Sequence, residues 1–306
     1  MDFLGIGTQK SGTSWLYQNL NRIPEFSLLP IKEVHYFDRS SDYPSPNHLS
    51  ITLLTDRFRN KKWLKKAFRE VWNSIVKQNW KSVWFYLKWN FSDYSDKWYL
   101  SLFKKFYGYT GEITPSYSIL NQEDISRIHK LNPNVKLVLM LRNPIDRAWS
   151  QYRYSKRHKR DFDFKKVSNK DIITFMEREA QILRSDYIRM LDNYSNIFPN
   201  EQILIGFYDA IIDKPSVLLN DIVKHISGDT TISIEHLNLE KVVNSSPKVD
   251  CPTEIKDYLK SKYHTQIKDL SEKFGGYCSK WYENLYVEES TIEKGTLLLP
   301  TVYMKS

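Results

Sequence analysis

The sequence is poor in cysteine, with only Cys251 and Cys278 among 306 residues. Two cysteines cannot supply the disulfide framework that stabilises many small secreted proteins, and neither belongs to a metal-binding motif. The seven histidines form no HExxH or comparable pair, so the sequence does not support a zinc site either. We therefore expect two reduced thiols and no metal ion.

Long apolar runs are also absent. None approaches the roughly 20 residues that a membrane-spanning helix needs. The first residues, MDFLGIGTQK, lack the basic leader, apolar core and cleavage site of a signal peptide. These absences predict a cytoplasmic protein, or the soluble catalytic part of a longer one.

Positive charge is in excess: the sequence has 45 lysines and arginines and 36 acidic residues, which gives a net charge of +9. Such an excess favours anionic ligands, for example nucleotides, anionic glycans or lipid headgroups, and is compatible with a peripheral membrane contact. No zinc finger or RNP-type strand accompanies the charge, so we do not expect nucleic acid as a partner.

Short apolar segments alternate with helical patterns along the chain. The predicted strands lie at about 2–8, 26–29, 109–113, 135–141 and 202–207. The predicted helices lie at about 13–21, 171–182, 185–197, 214–226 and 255–274. This alternation is typical of an α/β fold in which helices flank both faces of a parallel sheet. Residues 47–106, rich in tryptophan and lysine, are predicted to be a helical insertion within a single domain of residues 1–306.

The densest chemical pattern lies between the first strand and the first helix. A loop in that position directs backbone N–H groups and the positive end of the helix dipole at an anion. We name residues 7–14 (GTQKSGTS) the anion loop. Its spacing is P-loop-like, but Thr13 stands where the P-loop has its lysine, and the loop's lysine is Lys10. A nucleotide kinase, which needs that missing lysine, is therefore a disfavoured alternative.

A second pattern follows the most apolar strand. Arg142 ends that strand, Asn143 and Pro144 are typical of a helix start, and Ser150 lies two turns into the helix. Arg142 and Ser150 can therefore converge on one phosphate. Arg147, in the same helix, is as compatible with a structural role.

Both patterns resemble motifs of the sulfotransferases that use 3′-phosphoadenosine 5′-phosphosulfate (PAPS). QKSGTSWL is similar to their 5′-phosphosulfate loop, and RNPIDRAWS to their 3′-phosphate motif. The resemblance implies that Lys10 contacts the leaving side of the sulfuryl group and that Arg142 and Ser150 bind the 3′-phosphate. The residues that it implies for the 5′-phosphate are Ser11, Gly12, Thr13 and Ser14.

A third motif, KEVHYFD at residues 32–38, resembles a segment of the heparan-type branch of that family. We name it the base loop, because the resemblance implies that Glu33 is the catalytic base. His35 is the second choice, since the small-molecule branch uses histidine. GEITPSY at 111–117 resembles another family segment, but Ile113 replaces a frequent lysine, and Lys32 is a candidate for supplying that charge.

A loose C-terminal match, VNSSPK at 243–248, resembles the loop that closes over the 3′-phosphate. It makes Asn244, Ser246 and Lys248 candidate donors, although a plain connecting loop explains the sequence equally well. The resemblance as a whole spans about 2–46 and 98–285.

These motifs together predict a sulfotransferase that moves a sulfuryl group from PAPS, without a metal, to a hydroxyl or amine. The base loop favours a carbohydrate or glycolipid acceptor. Two alternatives from other classes remain: a nucleotide- or glycan-binding protein without catalysis, and a basic adaptor for membranes or nucleic acid. The insertion either packs against the sheet or forms one wall of an acceptor cleft.

Overall fold

The computed structural model describes residues 1–157, 163–164, 167–239, 249–287 and 297–304. Within these ranges, six strands form one sheet in the order β2-β3-β1-β4-β5-β6. The strands are β1 (Phe3–Gly7), β2 (Phe26–Leu28), β3 (Tyr109–Ile113), β4 (Lys136–Leu141), β5 (Ile203–Phe207) and β6 (Thr301–Tyr303). All neighbouring strands are parallel except β5 and β6, which are antiparallel.

Fourteen α-helices lie within the described residues. The first seven are α1 (Thr13–Leu20), α2 (Leu54–Phe58), α3 (Lys61–Val76), α4 (Trp80–Asn90), α5 (Asp96–Ser101), α6 (Gln122–Leu131) and α7 (Pro144–Lys156). The other seven are α8 (Asn169–Met176), α9 (Glu179–Ser185), α10 (Tyr187–Ser195), α11 (Ala210–Asp213), α12 (Pro215–Ser227), α13 (Thr253–Phe274) and α14 (Gly276–Tyr286). Two short 3₁₀ helices, Pro115–Ile119 and Asn200–Gln202, complete the assignment.

The predicted α/β class is confirmed, because five parallel strands alternate with helices. Strand β4 is almost entirely buried, as an apolar run inside a parallel sheet should be. After it, the Asn143 side chain accepts a hydrogen bond from the Ile145 amide at 3.0 Å, and Pro144 is the first residue of α7. Both features match the predicted helix start.

The predicted single helix at 171–182 is wrong, whereas the predicted helix at 185–197 corresponds to α10. Three helices occupy this stretch, because Arg178 has an extended backbone (φ −65°, ψ 139°) and separates α8 from α9. A second break comes at Asp186, whose side chain accepts a hydrogen bond from the Arg189 amide and caps α10. The break at Arg178 was not predicted, whereas the predicted break between 182 and 185 lies close to Asp186.

The topology determines where a ligand can bind. From β1 the chain passes through α1 to β2, which lies on one side of β1 in the strand order. Strands β4 and β5 lie on the other side of β1. In open parallel sheets such a reversal leaves a crevice outside the carboxyl ends of the strands. The loops that follow β1, β2, β3 and β4 all leave from this edge.

Candidate active site

The anion loop lies at the carboxyl end of β1 and leads directly into α1. Gly12 precedes the helix in a left-handed conformation (φ 89°), and a Cβ there would lie 2.2 Å from Ile211 Cδ1. Only glycine meets both constraints at low cost. The first turn of α1 contains no acidic residue, so its N–H groups and dipole are available to an anion.

Lys10 extends from this loop into a cluster of positive charge. Its Nζ lies 4.0 Å from the centre of the Tyr154 ring on α7. The pKa of Lys10 is lowered to about 8. Burial is the largest cause, and the nearby charges of Arg157, Arg142 and Lys32 add to it. A cluster of like charges is unfavourable by itself, and a bound anion would relieve the repulsion.

Arg142 connects the anion loop to the helix after β4. Its Nη1 donates a hydrogen bond to the backbone oxygen of Lys10 at 3.2 Å, and its guanidinium stacks 4.2 Å from the centre of the Tyr208 ring. Its Nε is buried and has no hydrogen-bond partner among the described residues. A buried N–H group without a hydrogen bond lowers the stability of the protein unless a ligand supplies an acceptor.

The base loop, after β2, brings Glu33 and His35 together. His35 Nε2 lies 3.5 Å from Glu33 Oε2, and His35 Nδ1 lies 2.8 Å from Oδ2 of the fully buried Asp38. Burial opposes a charge on the imidazole, but its hydrogen bonds with Asp38 and Glu33 prevail and raise the pKa of His35 to about 9. His35 is therefore protonated at neutral pH.

The pKa of Glu33 shifts in the opposite direction to that of His35. Burial favours the neutral acid, but the hydrogen bond with His35 and the charge of Lys32 outweigh it and lower the pKa of Glu33. Both Glu33 and His35 have left-handed backbones, with φ of 67° and 56°. Non-glycine residues rarely adopt this conformation, and such strain is common in functional sites.

Lys32 connects the base loop to the anion loop. Its Nζ donates a hydrogen bond to Ser14 Oγ at 2.9 Å and to Glu33 Oε1 at 3.1 Å. By contrast, Ile113 is fully buried, and its side chain occupies the space that a Cβ on Gly5 would need. The positive charge between the two loops therefore comes from Lys32.

Comparison with known proteins identifies the family of the chain. A model described as "Sulfotransferase family" matches residues 3–230, which is most of the chain. The chain belongs to the sulfotransferase family. It is 24% identical to human carbohydrate sulfotransferase 15 and 27% identical to mouse heparan sulfate glucosamine 3-O-sulfotransferase 5, with 74% of the chain covered in each case. The chain spans only 41% and 54%, respectively, of these relatives' own lengths.

A solved structure supports the fold assignment. The sulfotransferase from Alicyclobacillus acidocaldarius superposes with a TM-score of 0.60 at 19% identity, covering 92% of this chain and 98% of its own. Family membership implies PAPS as the sulfuryl donor. Among the residues described above, no group of three or more histidine, cysteine or acidic side chains could hold a metal ion.

A buried carboxylate supports the base loop of this sulfotransferase from below. Glu112, on β3, accepts hydrogen bonds from three hydroxyl groups at 2.6–2.8 Å, those of Thr114, Tyr99 and Tyr117. It also accepts one from the amide of Val34 at 3.3 Å, between Glu33 and His35. Sequence reasoning found the GEITPSY segment but missed this role.

The remaining predicted residues differ in their placement. Ser11 is fully buried, and its hydroxyl pairs with that of Thr8 at 2.6 Å. Thr13 and Ser150 are buried on α1 and α7. Asn244, Ser246 and Lys248 lie outside the described residues.

Arg147 and Arg153 show what sequence reasoning resolved and what it missed. Arg147 is buried and donates to Ser185 Oγ at 3.0 Å and to Gln181 Oε1 at 3.2 Å, which is the structural role considered for it. Arg153 and Arg157 contribute to the charge around Lys10 and were not predicted. They lie three and seven positions after Ser150, so the helical period could have placed them on its face.

The insertion reaches the base loop through an aromatic contact. The rings of His48 and His35 are 5.6 Å apart, and His48 in turn lies 6.3 Å from Trp89 on α4. Trp89 and Trp98 are buried, as expected for packing residues, whereas Trp72 and Trp80 are exposed.

Proposed function

We propose that this chain transfers a sulfuryl group from PAPS to a hydroxyl or amine of a carbohydrate acceptor. The observation that carries the proposal is the position of Lys32. Its ammonium bonds both Ser14 of the anion loop and Glu33 of the base loop, so the donor site and the candidate base share one contact. Such proximity is what an in-line transfer between two bound substrates needs.

The residues present fit the donor. The start of α1, with no acid in its first turn, suits a 5′-phosphate, and the unpartnered Arg142 Nε suits a second phosphate. The depressed pKa of Lys10 adds support, because it reflects a surplus of positive charge that a polyanion would compensate. Thr13, in the position of the P-loop lysine, still disfavours a kinase.

PAPS supplies an activated sulfuryl group whose bond to the bridging oxygen of the 5′-phosphate breaks. Glu33 accepts the proton of the acceptor hydroxyl as that oxygen bonds to sulfur. Lys10 stabilises the negative charge left on the phosphate, and Arg142 and Ser150 hold the 3′-phosphate. The products are adenosine 3′,5′-bisphosphate and the sulfated acceptor.

Glu33 is the better base of the two candidates. A base must be unprotonated, and the lowered pKa of Glu33 meets this condition at neutral pH. With a pKa raised to about 9, His35 instead carries a proton that it shares with Asp38 and Glu33. We assign to His35 the orientation of Glu33.

A carbohydrate acceptor is supported by two relatives, whose names state carbohydrate and heparan sulfate substrates. The base loop resembles the branch that modifies such glycans. His48 and Trp89, packed beside His35, supply flat rings of the kind that stack on sugars.

The test is transfer of radioactive sulfur from ³⁵S-labelled PAPS to a panel of glycans, with release of adenosine 3′,5′-bisphosphate as a second readout. Glu33→Gln should lose about 10²–10⁴-fold in kcat, the range of general-base catalysis, while binding the bisphosphate normally. Glu25→Gln is the matched control, since Glu25 is an exposed glutamate before β2.

Two outcomes would contradict the proposal. If the protein bound ATP more tightly than adenosine 3′,5′-bisphosphate and required magnesium, the kinase alternative would hold. If Glu33→Gln remained active while His35→Ala was inactive, His35 would be the base.

A further inference from the structure

We propose that the hairpin of α3 and α4 is a docking surface for anionic lipid bilayers. Its central feature is an apolar face exposed to solvent. We name this the α3 face; its members are Phe68, Trp72, Ile75 and Val76 of α3 and Trp80 at the start of α4. No helix among the described residues has the length and apolar character needed to cross a bilayer, so the contact would be peripheral.

Exposure distinguishes the α3 face from the rest of the surface. The exposed fractions of Phe68, Trp72, Val76 and Trp80 are 63%, 65%, 64% and 69%. Ten of the seventeen large apolar residues exposed in the described ranges lie between residues 51 and 107. Clustering of this kind marks an interaction site, whereas scattered exposed apolar residues need no explanation.

The buried and the exposed sides of α3 carry different residues. Ala67 and Ser74 face the protein and are buried, while Phe68, Trp72 and Val76 follow each other at four-residue intervals on the outside. A helix whose outer side met only water would carry polar and charged residues there, without a row of large apolar ones. The outer apolar row therefore requires another partner.

Basic residues border this row. Lys61, Lys65 and Arg69 are exposed. They precede Trp72 by eleven, seven and three positions, respectively, which places them on the same side of α3. Between residues 61 and 88 the sequence has eight basic residues and one acidic residue, Glu70. Glu70 is half-buried and bonds Asn90 Nδ2 at 3.0 Å, so its charge points away from the α3 face.

Among candidate partners, an anionic bilayer fits both features. Tryptophan and aliphatic side chains enter the boundary between headgroups and acyl chains, while lysine and arginine contact anionic headgroups. A second copy of the chain would place two basic surfaces against each other. An anionic polysaccharide would satisfy the lysines, but it offers no apolar partner to Ile75 and Val76.

The test is partitioning of the full chain onto vesicles, measured by co-sedimentation. We expect binding to phosphatidylcholine vesicles that contain 30% phosphatidylserine, and little binding to phosphatidylcholine alone. The triple variant Lys61→Gln, Lys65→Gln, Arg69→Gln should lower partitioning about 100-fold, from roughly fivefold per basic residue near the surface, with a weaker salt dependence. Its control changes three exposed lysines on α12, α13 and α14: Lys224, Lys268 and Lys280.

The apolar part is tested separately. Trp72→Ser with Trp80→Ser should weaken vesicle binding and abolish quenching of tryptophan fluorescence by brominated lipids at the α3 face. Ile212→Ser with Val217→Ser is the control, since these residues are also exposed but lie on α11 and α12. Transfer to a water-soluble acceptor should be unchanged in the Trp72 and Trp80 variant, which separates this inference from the proposed function.

Three results would overturn the inference. The first is equal binding to neutral and anionic vesicles, or binding to neither. The second is an equal loss of binding in the control variants. The third is self-association, seen by sedimentation velocity, that disappears with Trp72→Ser and Trp80→Ser while vesicles are not bound; the α3 face would then join two copies.

Discussion

The protonation of Lys10 provides a direct test of the donor site, because it should change when the donor product binds. Burial and neighbouring cations hold the pKa of Lys10 at about 8 in the free protein. Adenosine 3′,5′-bisphosphate would bring negative charge to this cluster and raise that pKa toward its ordinary value near 10.5. At pH 8, where about half of the Lys10 side chains are neutral, binding should therefore take up about half a proton.

The sign of the pH dependence follows from the same reasoning. The protonated amine is the form that binds an anion, so affinity for the bisphosphate should be nearly constant well below pH 8. Above pH 8, each bound ligand must first restore a proton to Lys10, and affinity should fall by up to about tenfold per pH unit. The phosphates of the ligand are fully ionised in this range and add no opposing trend.

The assay is isothermal titration calorimetry with the bisphosphate at pH 8 in two buffers of different ionisation enthalpy. The difference in apparent binding enthalpy gives the number of protons taken up. Lys10→Met should bind more weakly, show no buffer dependence and lose the decline above pH 8, while Lys268→Met should behave like the original chain. Proton uptake that persists in Lys10→Met would refute the reasoning and assign the uptake to another group.

Further predictions concern the division of roles in the site. Lys10→Ala should lower kcat in addition to weakening the bisphosphate, whereas Arg142→Ala should weaken the bisphosphate in a binding titration with little loss of kcat; equal losses of kcat in the two variants would contradict this division. Glu112→Gln should cost about 1–3 kcal/mol in urea unfolding, because an amide cannot accept all the hydrogen bonds that the carboxylate accepts, and should lower kcat by displacing the base loop. If kcat were unchanged in a folded Glu112→Gln protein, the role of Glu112 would be limited to stabilising the fold. Gly12→Ala should weaken bisphosphate binding, since its φ is left-handed and its Cβ would require Ile211 Cδ1 to move; normal binding would refute the proposed loop geometry.

The five parallel strands were predictable because of their local apolar signals, whereas the antiparallel strand β6 was not predicted. An apolar run such as 136–141 has few alternatives to a buried parallel strand, and Asn143–Pro144 starts the next helix by local chemistry. The break at Arg178 was not predictable, since arginine is acceptable inside a helix and tertiary packing decides its conformation.

The candidate site was predictable residue by residue more than as a geometry. The motifs named Lys10, Glu33 and Arg142, but contacts across the sheet edge are not encoded in local spacing. Lys32 illustrates this: its bond to Glu33 links neighbours in sequence, whereas its bond to Ser14 depends on two separate loops leaving the same edge. The tryptophans of the insertion show the same limit of local sequence. Trp72 and Trp89 lie in similar helical sequence patterns, and only the structure shows that the first ring is exposed and the second buried.

The two basic regions of the chain differ in what holds their charges, and this difference separates their roles. At the candidate active site the fold fixes the cations: Arg142 bonds the backbone of Lys10 and stacks on Tyr208, so like charges stay close without a ligand. Such preorganisation costs stability but needs no rearrangement when an anion binds, which is the arrangement expected for catalysis. On α3, Lys61 and Lys65 are exposed on long flexible side chains. They can follow a surface whose charges are mobile, as lipid headgroups are, but they cannot position a single phosphate or sulfate for reaction.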